Sequence, residues 1–470
     1  MTPSVSAFLH RFWLQGLFLL VILSRLPFLG TGYGSDGDAW RVAETADHLA
    51  RTGEYHVSRF PGYPLNELVF VPLVGTGGSF LTNGATLLAF LVLLFIWHRL
   101  VRERTNHPRL LVAALAFTPM VWANSAGTMD YVWSLLFLIL AVHALLSRRI
   151  ILAGVCLGAA TGFRPVNAVA AVPLLLLLHL EDKSPRDAAG FILSASLTAI
   201  LAFTPVWLTY GVSGWIDGTR FQAGLTHLTV IQRALYWAYR SVYSIGLPAF
   251  LVAAYILIKR RRNVAALFSS RSSFLIAAVG IVGAFAVLFF AYPLEREYLL
   301  PALPFLFIIL DAVALRREFL LFTLCLAMYA FVNIDVIEHR FGAGSIGLDV
   351  REGVVVEELH KRTSYLDERE RIAQTAFVHS SIIMTGKGPA FWFRNPHVEE
   401  DTVWKNFDTK DVVVHQRSNP NVLFVDILLG PEIADMQRRG FDVYCVEPMT
   451  DYIAYVAGID LQRAGVKILR

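Results

Sequence analysis

The sequence predicts a multi-pass α-helical membrane protein with about eleven transmembrane helices, followed by a small soluble α/β domain. Three observations predict this class: long uncharged apolar runs, basic residues concentrated in alternate connections, and a tail of ordinary soluble composition. Hydrophobic residues make up 55% of the 470 residues and charged residues 17%, with a mean hydropathy of +0.53, whereas soluble domains carry about a quarter charged residues. The change in composition predicts a transmembrane domain over residues 1–335 and a soluble domain over residues 340–470.

The transmembrane helices follow from the lengths of the apolar runs, because about twenty apolar residues are needed to cross about 30 Å of hydrocarbon. The first run continues to about Gly30 without a small-residue cleavage site, which predicts a retained anchor rather than a signal peptide. The predicted spans are 12–30, 80–98, 110–126, 131–147, 150–163, 165–180, 190–210, 244–258, 273–292, 299–315 and 318–334.

The orientation follows from the basic residues, which concentrate on the cytoplasmic side of membrane proteins. The outward connections are predicted to be longer and richer in acids and aromatics: 31–79, 124–130, 211–243 and 293–298. The cytoplasmic connections are predicted to be the short basic ones, which carry Arg99, Arg102, Arg104, Arg109, Arg148, Arg149, Lys183, Arg186, Lys259, Arg260, Arg261, Arg262, Arg271, Arg316 and Arg317. An odd number of crossings then places the amino terminus in the cytoplasm and the tail outside.

The segment 150–180 contains two short apolar stretches separated by Arg164-Pro165, with basic residues at both ends. A single long helix would reverse the orientation of every later connection, whereas a hairpin of two short helices preserves the charge asymmetry. The hairpin is therefore preferred. It leaves Arg164 at the tip, somewhat below the outer surface, where a cation needs an anionic partner or a watery cleft.

The outward connection 211–243 carries apolar residues at helical spacing, followed by aromatic residues. This pattern predicts a helix lying in the outer interface, and a purely structural role is favoured for it. The residues concerned are Phe221, Leu225, Leu228, Ile231, Leu235, Tyr236, Trp237, Tyr239 and Tyr243.

The tail alternates β-rich runs with helical patterns, which predicts a small α/β domain. Gly386-Lys387-Gly388 follows a predicted strand, but the surrounding residues complete no nucleotide-binding fingerprint, so a plain turn is favoured. The predicted strands are 381–384, 412–415, 422–427 and 443–446, and the predicted helices are 365–375 and 431–439.

The first outer loop, 31–79, places Asp36 and Asp38 immediately after the first span, at the level of the lipid headgroups. A carboxylate there is suited to act as general base toward an acceptor hydroxyl that attacks a sugar carbon. A solvated Asp-Gly-Asp turn is the alternative, and the residues by themselves favour it.

The order of several short motifs over residues 12–315 resembles the GT-C superfamily of membrane glycosyltransferases. The resemblance is greatest to the branch related to dolichyl-phosphate-mannose protein mannosyltransferases. The matching elements are Arg25 near the end of the first span, Asp36 with Trp40 and Ala43, Pro61-Gly62-Tyr63-Pro64, Gly162-Phe163-Arg164-Pro165 and Arg296-Glu297-Tyr298-Leu299-Leu300-Pro301-Ala302-Leu303-Pro304. The chain departs from the family pattern at Gly37, which separates the two aspartates, and at Glu297, which separates the arginine from its tyrosine.

The resemblance implies an inverting, mannosyltransferase-like enzyme that moves a sugar from a polyprenyl-phosphate donor to an extracytoplasmic glycan, lipid or protein. It implies that Asp36 or Asp38 is catalytic, that Arg59, Arg164 and Arg296 bind the donor phosphate, and that Trp40, Tyr63 and Tyr298 contact substrate. Arginine suits this task because its planar fork binds phosphate oxygens in pairs. For each arginine, an ion pair or a headgroup contact is the alternative, for instance Arg296 with Glu295.

Two other functions are considered: a transporter or flippase of a lipid-linked saccharide, and a catalytically inactive membrane scaffold. A transporter predicts inverted repeats, and no convincing repeat is found in the sequence. A net charge of +4 gives no electrostatic footprint for nucleic acid. No cofactor is predicted with certainty, and a divalent cation is left open. The absence of an Asn-x-Ser/Thr sequon and of an organellar signal favours a bacterial plasma membrane, with a role at the cell envelope.

The predicted orientation places Lys405 outside the cell. We expect an impermeant thiol reagent to label the Lys405→Cys variant in intact cells, with the parent chain as the control for the three native cysteines. Labelling that requires permeabilised cells would place the tail in the cytoplasm and reverse the orientation.

Overall fold

The computed structural model describes most of the chain, and its first two thirds consist of helices. The described residues are 5–181, 183–224, 229–268, 272–293, 296–340, 343–386, 398–402, 412–416, 422–425, 427–450, 453–454 and 458–469. The helices up to residue 329 are α1 Val5–Leu29, α2 Gly37–Thr52, α3 Pro64–Val101, α4 Pro108–Phe117, α5 Pro119–Asn124, α6 Tyr131–Leu146, α7 Ile150–Phe163, α8 Ala171–Leu180, α9 Pro185–Gly224, α10 Val230–Ile245, α11 Leu247–Lys259, α12 Arg261–Phe268, α13 Ser273–Ala291, α14 Leu303–Val313 and α15 Arg316–Tyr329, with 3₁₀ helices at Pro165–Ala170 and Arg296–Ala302.

A helix overlaps every predicted span, which confirms the prediction of a multi-pass helical membrane protein. Among the described residues, four helices are long and apolar enough to cross a membrane alone. A fifth span is formed if α10 and α11, which are bent by 99° at Gly246, count together. The other apolar helices are shorter, so the total of eleven spans stays a prediction.

The first outer loop contains two helices. Helix α2 lies wholly within it, and α3 begins at Pro64 and changes direction at Gly78, whose backbone is non-helical (φ 55°, ψ −141°). Proline is favoured in the first turn of a helix because the N–H it lacks has no partner there in any case. The change of direction at Gly78 therefore falls close to the predicted boundary between the first outer loop and the second span.

The segment 150–180 forms the predicted pair of short helices, separated at Arg164 and Pro165. Arg164 has an extended backbone (φ −149°, ψ 107°), as expected for a residue before proline. The chain also reverses there, since α7 and α9 run parallel. Along α7, glycines meet α9 in ascending order: Gly154 faces Phe191 and Ser194, Gly158 faces Ala195 and Thr198, and Gly162 faces Ala202.

The predicted interfacial segment, 211–243, begins within α9 and is only partly described. Leu225 and Leu228 of the predicted pattern lie outside the described residues, whereas Ile231 and Leu235 lie on α10 with their side chains exposed. The described part is therefore two helices, the end of α9 and α10, rather than one.

The tail contains a small parallel sheet and two antiparallel pairs. Parallel pairing joins the sheet in the order β6-β3-β7-β8, while β1 pairs with β2 and β4 with β5. Helix α16 packs against α5 of the membrane domain. The elements are β1 Val332–Arg340, β2 Ala343–Glu352, α16 Val354–Gln374, β3 Ser381–Met384, β4 Val398–Thr402, β5 Val412–Gln416, β6 Val422–Val425, α17 Gly430–Arg438, β7 Asp442–Val446 and β8 Lys467–Leu469, with a 3₁₀ turn at Glu447–Met449.

The predicted strands and helices of the tail correspond to β3, β5, β6, β7, α16 and α17. The sequence pattern missed the β1–β2 hairpin, which begins inside the predicted last span 318–334. At the predicted Gly386-Lys387-Gly388 turn, Gly386 has a positive φ of 63°. Lys387 and Gly388 lie outside the described residues.

Gly158→Ala tests the close packing of α7 on α9. A Cβ at Gly158 would lie 2.5 Å from the Ala195 carbonyl oxygen and 2.6 Å from Thr198 Cβ, so the helices must separate, at a cost of about 1–3 kcal/mol. Gly283→Ala in α13 is the control, because nothing lies within 4 Å of its Cβ position. We expect thermal unfolding in detergent at a lower temperature for Gly158→Ala only; equal melting temperatures would contradict this packing.

Candidate active site

The sequence-predicted aspartates lie at the amino end of α2. Asp36 is its N-cap residue and accepts a hydrogen bond from the backbone N–H of Asp38 at 3.0 Å. A carboxylate at this position stabilises the helix by satisfying an otherwise unpaired N–H and by its attraction to the helix dipole. Capping is therefore one role that the structure assigns to Asp36.

Asp38 points towards two arginines. Its Oδ1 lies 2.8 Å from Arg41 Nη1 and its Oδ2 lies 3.0 Å from Arg59 Nε. The side chain is 16% exposed, so these contacts are partly shielded from solvent. Both carboxylate oxygens of Asp38 thus already contact guanidinium groups.

Arg59 also contacts a second carboxylate, that of Asp130, which is fully buried. Asp130 Oδ1 lies 2.9 Å from Arg59 Nη2, and its Oδ2 lies 2.6 Å from Arg164 Nη1. Although Asp130 precedes α6, its side chain does not cap that helix. One buried carboxylate is therefore shared by two guanidiniums that are remote in sequence. We call Asp38, Arg59, Asp130 and Arg164 the arginine–carboxylate cluster.

Tyrosine rings cover the guanidiniums of the cluster. The guanidinium carbon of Arg59 lies 3.8 Å from the centre of the Tyr63 ring, and that of Arg164 lies 4.2 Å from Tyr131 and 4.8 Å from Tyr298. Such contacts favour a cation over an aromatic face, most strongly where water is excluded. Tyr63 and Tyr298, predicted to contact substrate, are thus found against the predicted phosphate-binding arginines.

Arg59 remains charged in this setting. Burial by itself lowers the pKa of Arg59, but the neighbouring Asp38, Tyr63 and Asp130 raise it well above its ordinary value. Its Nη1 atom is buried and has no hydrogen-bond partner among the described residues. A buried N–H without a partner is costly, so this atom marks a place where an anionic oxygen would be stabilised.

A cavity of about 140 Å³ lies beside Tyr131, whose ring covers the Arg164 guanidinium of the cluster. Asp36, Tyr131 and Arg296 line it, together with residues of α16 from the tail. Tyr131 borders both the cavity and the Arg164 guanidinium, which connects the cavity to the cluster.

Arg296 begins a 3₁₀ helix and is paired with Glu297, its Nε lying 3.3 Å from Glu297 Oε1. The side chain of Arg296 is partly exposed to the cavity. The alternative pairing with Glu295 lies outside the described residues.

Trp40, predicted to contact substrate, lies in the protein core. Its side chain is 1% exposed, and its Nε1 donates a hydrogen bond to the Gly34 carbonyl at 2.9 Å. A Cβ at Gly32, where φ is 76°, would lie 2.7 Å from the Trp40 ring. Trp40 therefore supports the loop that leads to Asp36, and it does not line the cavity.

Arg25, the motif residue of the first span, is also buried. Its guanidinium carbon lies 4.5 Å from the centre of the Trp122 ring, and its Nε donates to Ser125 Oγ at 3.2 Å. Arg25 thus joins α1 to the segment that precedes Asp130.

Sequence reasoning did not predict Glu67 as a member of the site, and it considered Asp130 only as a carboxylate whose pairing with Arg164 would favour a structural role for that arginine. Glu67 is fully buried in the first turn of α3 and accepts hydrogen bonds from Ser58 N at 2.8 Å, from Ser58 Oγ at 2.6 Å and from Tyr55 Oη. In this way it fixes the turn before Arg59. Acidic residues at the ends of apolar segments were the available signal, since such groups are costly unless paired.

In the part of the chain that the structure describes, no three histidine, cysteine or acidic side chains come together in a way that could hold a metal ion.

The bundle of apolar helices, the helical first outer loop and the small C-terminal sheet give this chain the fold of the solved ArnT structures. Two solved structures share the fold. ArnT from Cupriavidus metallidurans bound to undecaprenyl phosphate superimposes with a TM-score of 0.53 and 13% sequence identity, over 79% of this chain and 82% of that chain. ArnT of the same organism in the apo state gives a TM-score of 0.51, with the same identity and coverage. No protein-family model and no curated protein sequence matches the chain.

Asp130→Ala tests whether the cluster depends on its shared carboxylate. The change leaves the buried guanidiniums of Arg59 and Arg164 without this counterion, and breaking a buried ion pair costs about 3–5 kcal/mol. We expect a marked loss of thermal stability in detergent. Asp435→Ala, which breaks an exposed pair with Arg438, is the control and should cost about 0–1 kcal/mol. Equal stability of the two variants would mean that Asp130 does not hold the cluster.

Proposed function

We propose that the protein is an inverting glycosyltransferase that moves a sugar from a polyprenyl-phosphate donor to an extracytoplasmic glycan, lipid or protein. The observation that carries this proposal is the buried Arg59, whose unpartnered Nη1 lies in a cluster beside the cavity. The fold supports it, because the ArnT structure with the same fold was solved with undecaprenyl phosphate bound. The proposed setting is a bacterial plasma membrane, with the cavity on the extracytoplasmic side.

Arg59 is the proposed contact for the donor phosphate. When the sugar–phosphate bond breaks, negative charge develops on the phosphate, and fixed cations lower the energy of that state. Within the cluster, the two guanidiniums of Arg59 and Arg164 share the single carboxylate of Asp130. A phosphate oxygen at Arg59 Nη1 would supply the missing partner and additional negative charge.

Arg164 and Arg296 support the donor site in different ways. From the sequence, we expected Arg164 to contact the phosphate unless an internal carboxylate paired with it. The 2.6 Å contact with Asp130 is such a pairing and favours a structural role. We therefore propose that Arg164 holds Asp130 against Arg59, and that Arg296, at the cavity wall, contacts the phosphate together with Arg59.

Asp36 is the proposed general base, and Asp38 assists it. Asp36 lines the cavity where an acceptor hydroxyl would lie, whereas both oxygens of Asp38 contact arginines. Removal of the acceptor proton by Asp36 would make the acceptor oxygen a stronger nucleophile. That oxygen would attack the sugar from the face opposite the departing phosphate. Asp38 would orient Arg59 towards the donor.

The aspartates give the first functional test. Purified protein is incubated with a panel of polyprenyl-phosphate sugars, and the release of polyprenyl phosphate is measured. We expect Asp36→Asn to lower turnover by about two to four orders of magnitude, the range for a positioned proton acceptor, and Asp38→Asn to lower it less. If Asp38→Asn abolishes release while Asp36→Asn retains most of it, the two assignments are reversed.

The arginines give the second test, on the same assay. We expect Arg59→Ala to lower kcat strongly with a smaller change in donor KM, because charge on the phosphate grows as the bond breaks. Arg59→Lys should restore activity only in part, since a point charge replaces a planar fork. Normal turnover by folded Arg59→Ala, alongside a large loss in Arg164→Ala, would assign the phosphate to Arg164 instead.

A further inference from the structure

Helix α16 of the tail reaches the cavity through a buried ion pair. Arg362 Nε lies 2.7 Å from Glu358 Oε1, and both residues line the cavity wall. The Arg362 side chain is only 2% exposed, although the helix also carries exposed residues such as Thr363 and Asp367. A pair this deeply buried is costly unless further hydrogen bonds satisfy its remaining polar atoms.

Glu358 binds the residue next to the proposed base. Its Oε1 accepts a hydrogen bond from the Ser35 backbone N–H at 3.3 Å, and its Oε2 accepts one from Ser35 Oγ. Burial by itself raises the pKa of Glu358. Arg362 and the hydrogen bonds from Ser35 lower it by a larger amount, so the pKa of Glu358 lies below its ordinary value. Glu358 is thus held as a carboxylate, the form that accepts both bonds.

Arg362 binds the segment that leads to Asp130. Its Nη1 donates to the Ala126 carbonyl at 2.7 Å and to the Phe28 carbonyl at 3.4 Å, and its Nη2 donates to the Ala123 carbonyl at 3.4 Å. Gly127 lies directly beneath: a Cβ there would be 3.1 Å from Arg362 Nη2. The guanidinium therefore joins the end of α1 to the connection between α5 and α6.

The two halves of the pair reach the two parts of the proposed site. Ser35 directly precedes Asp36, on the acceptor side, and Ala126 lies just before Asp130, on the donor side. The two segments are far apart in the sequence, so tertiary contacts set their relative position. The Thr128 backbone N–H donates to the Tyr33 carbonyl at 2.8 Å, and the α16 pair contacts both segments from the side of the tail.

We propose that Glu358 and Arg362 are positioning residues for glycosyl transfer, which fix the Asp36 loop relative to the Asp130 segment from a helix of the outer domain. The kinetic part rests on the proposed function, while the geometric part does not. Loss of the pair should leave the donor phosphate site occupied but misalign base and donor. A displacement of about 1 Å is enough to lower turnover by about a hundredfold.

Glu358→Gln and Arg362→Lys are the test variants, and Asp367→Asn is the matched control, because it changes an exposed carboxylate on the same helix to an amide. Amide hydrogen exchange of the full-length protein is measured first, since it needs no substrate. We expect faster exchange over residues 32–38 and 124–130 in both test variants. These segments can then open locally without first breaking the hydrogen bonds that Glu358 and Arg362 make in the wild-type protein. The control should exchange as the wild-type protein does.

Kinetics then separate positioning from simple support of the fold. In the polyprenyl-phosphate release assay, we expect the test variants to lower kcat by about 10- to 100-fold with donor KM changed less than threefold. Ser35→Ala combined with Glu358→Gln should cost less than the sum of the two separate losses, because both changes weaken the contact between Ser35 and residue 358. The control should retain wild-type kinetics.

The outcomes distinguish the two proposals. Unchanged exchange in both test variants, or faster exchange with wild-type kcat, would overturn the positioning role. Additive losses in the Ser35→Ala and Glu358→Gln combination would also overturn it. A wild-type protein inactive with every donor would contradict the proposed function, whereas the exchange result would still decide whether the pair holds the two segments together.

Discussion

The rest of the candidate site depends on the two ion pairs that the carboxylate of Asp130 makes. Two guanidiniums, those of Arg59 and Arg164, approach it from different parts of the chain and are shielded from water. Charges removed from water carry a penalty of several kcal/mol each, which only close and well-directed partners offset. Asp130 supplies such partners with its two oxygens, one for each arginine. The approach of Arg59 then determines where its remaining Nη1 atom points and therefore where the proposed donor phosphate would be stabilised.

The helix packing of the membrane domain delivers these groups to one place. The parallel contact of α7 and α9, made close by glycines on α7, requires the chain to reverse at Arg164. The residue before Pro165 is extended, so the Arg164 side chain leaves the end of α7 rather than its side. The backbone restriction before Pro165 and the close helix packing together place a buried cation at the end of α7. Glu67 positions Arg59 in turn, because its buried carboxylate accepts hydrogen bonds from Ser58 and fixes the turn before Arg59.

The tail contributes α16 to the wall of the candidate site. The sequence divides the chain at about residue 335 by composition, and this division stays a prediction. It does not describe their contact, because α16 lines the cavity and binds the backbone of the first outer loop. The buried face of α16 carries charged residues, so a composition-based reading assigns it to solvent. Their burial becomes visible only when the partners across the interface are known.

The sequence by itself determined the class of the protein, the positions of its helices and the proline break at Arg164. These features depend on local quantities: the length of an apolar run, the charge of a connection and the backbone restriction before proline. It also predicted that Asp36, Asp38, Arg59 and Arg296 are polar residues of the outer face. Only the tertiary structure decided which of these charges meet. It paired Arg164 with Asp130, buried Trp40 beneath the loop and brought Glu358 to Ser35, which is 323 residues away in the chain. The physical reason is that an ion pair depends on distance in space and on exclusion of water, and neither quantity is encoded in the spacing of residues along the sequence.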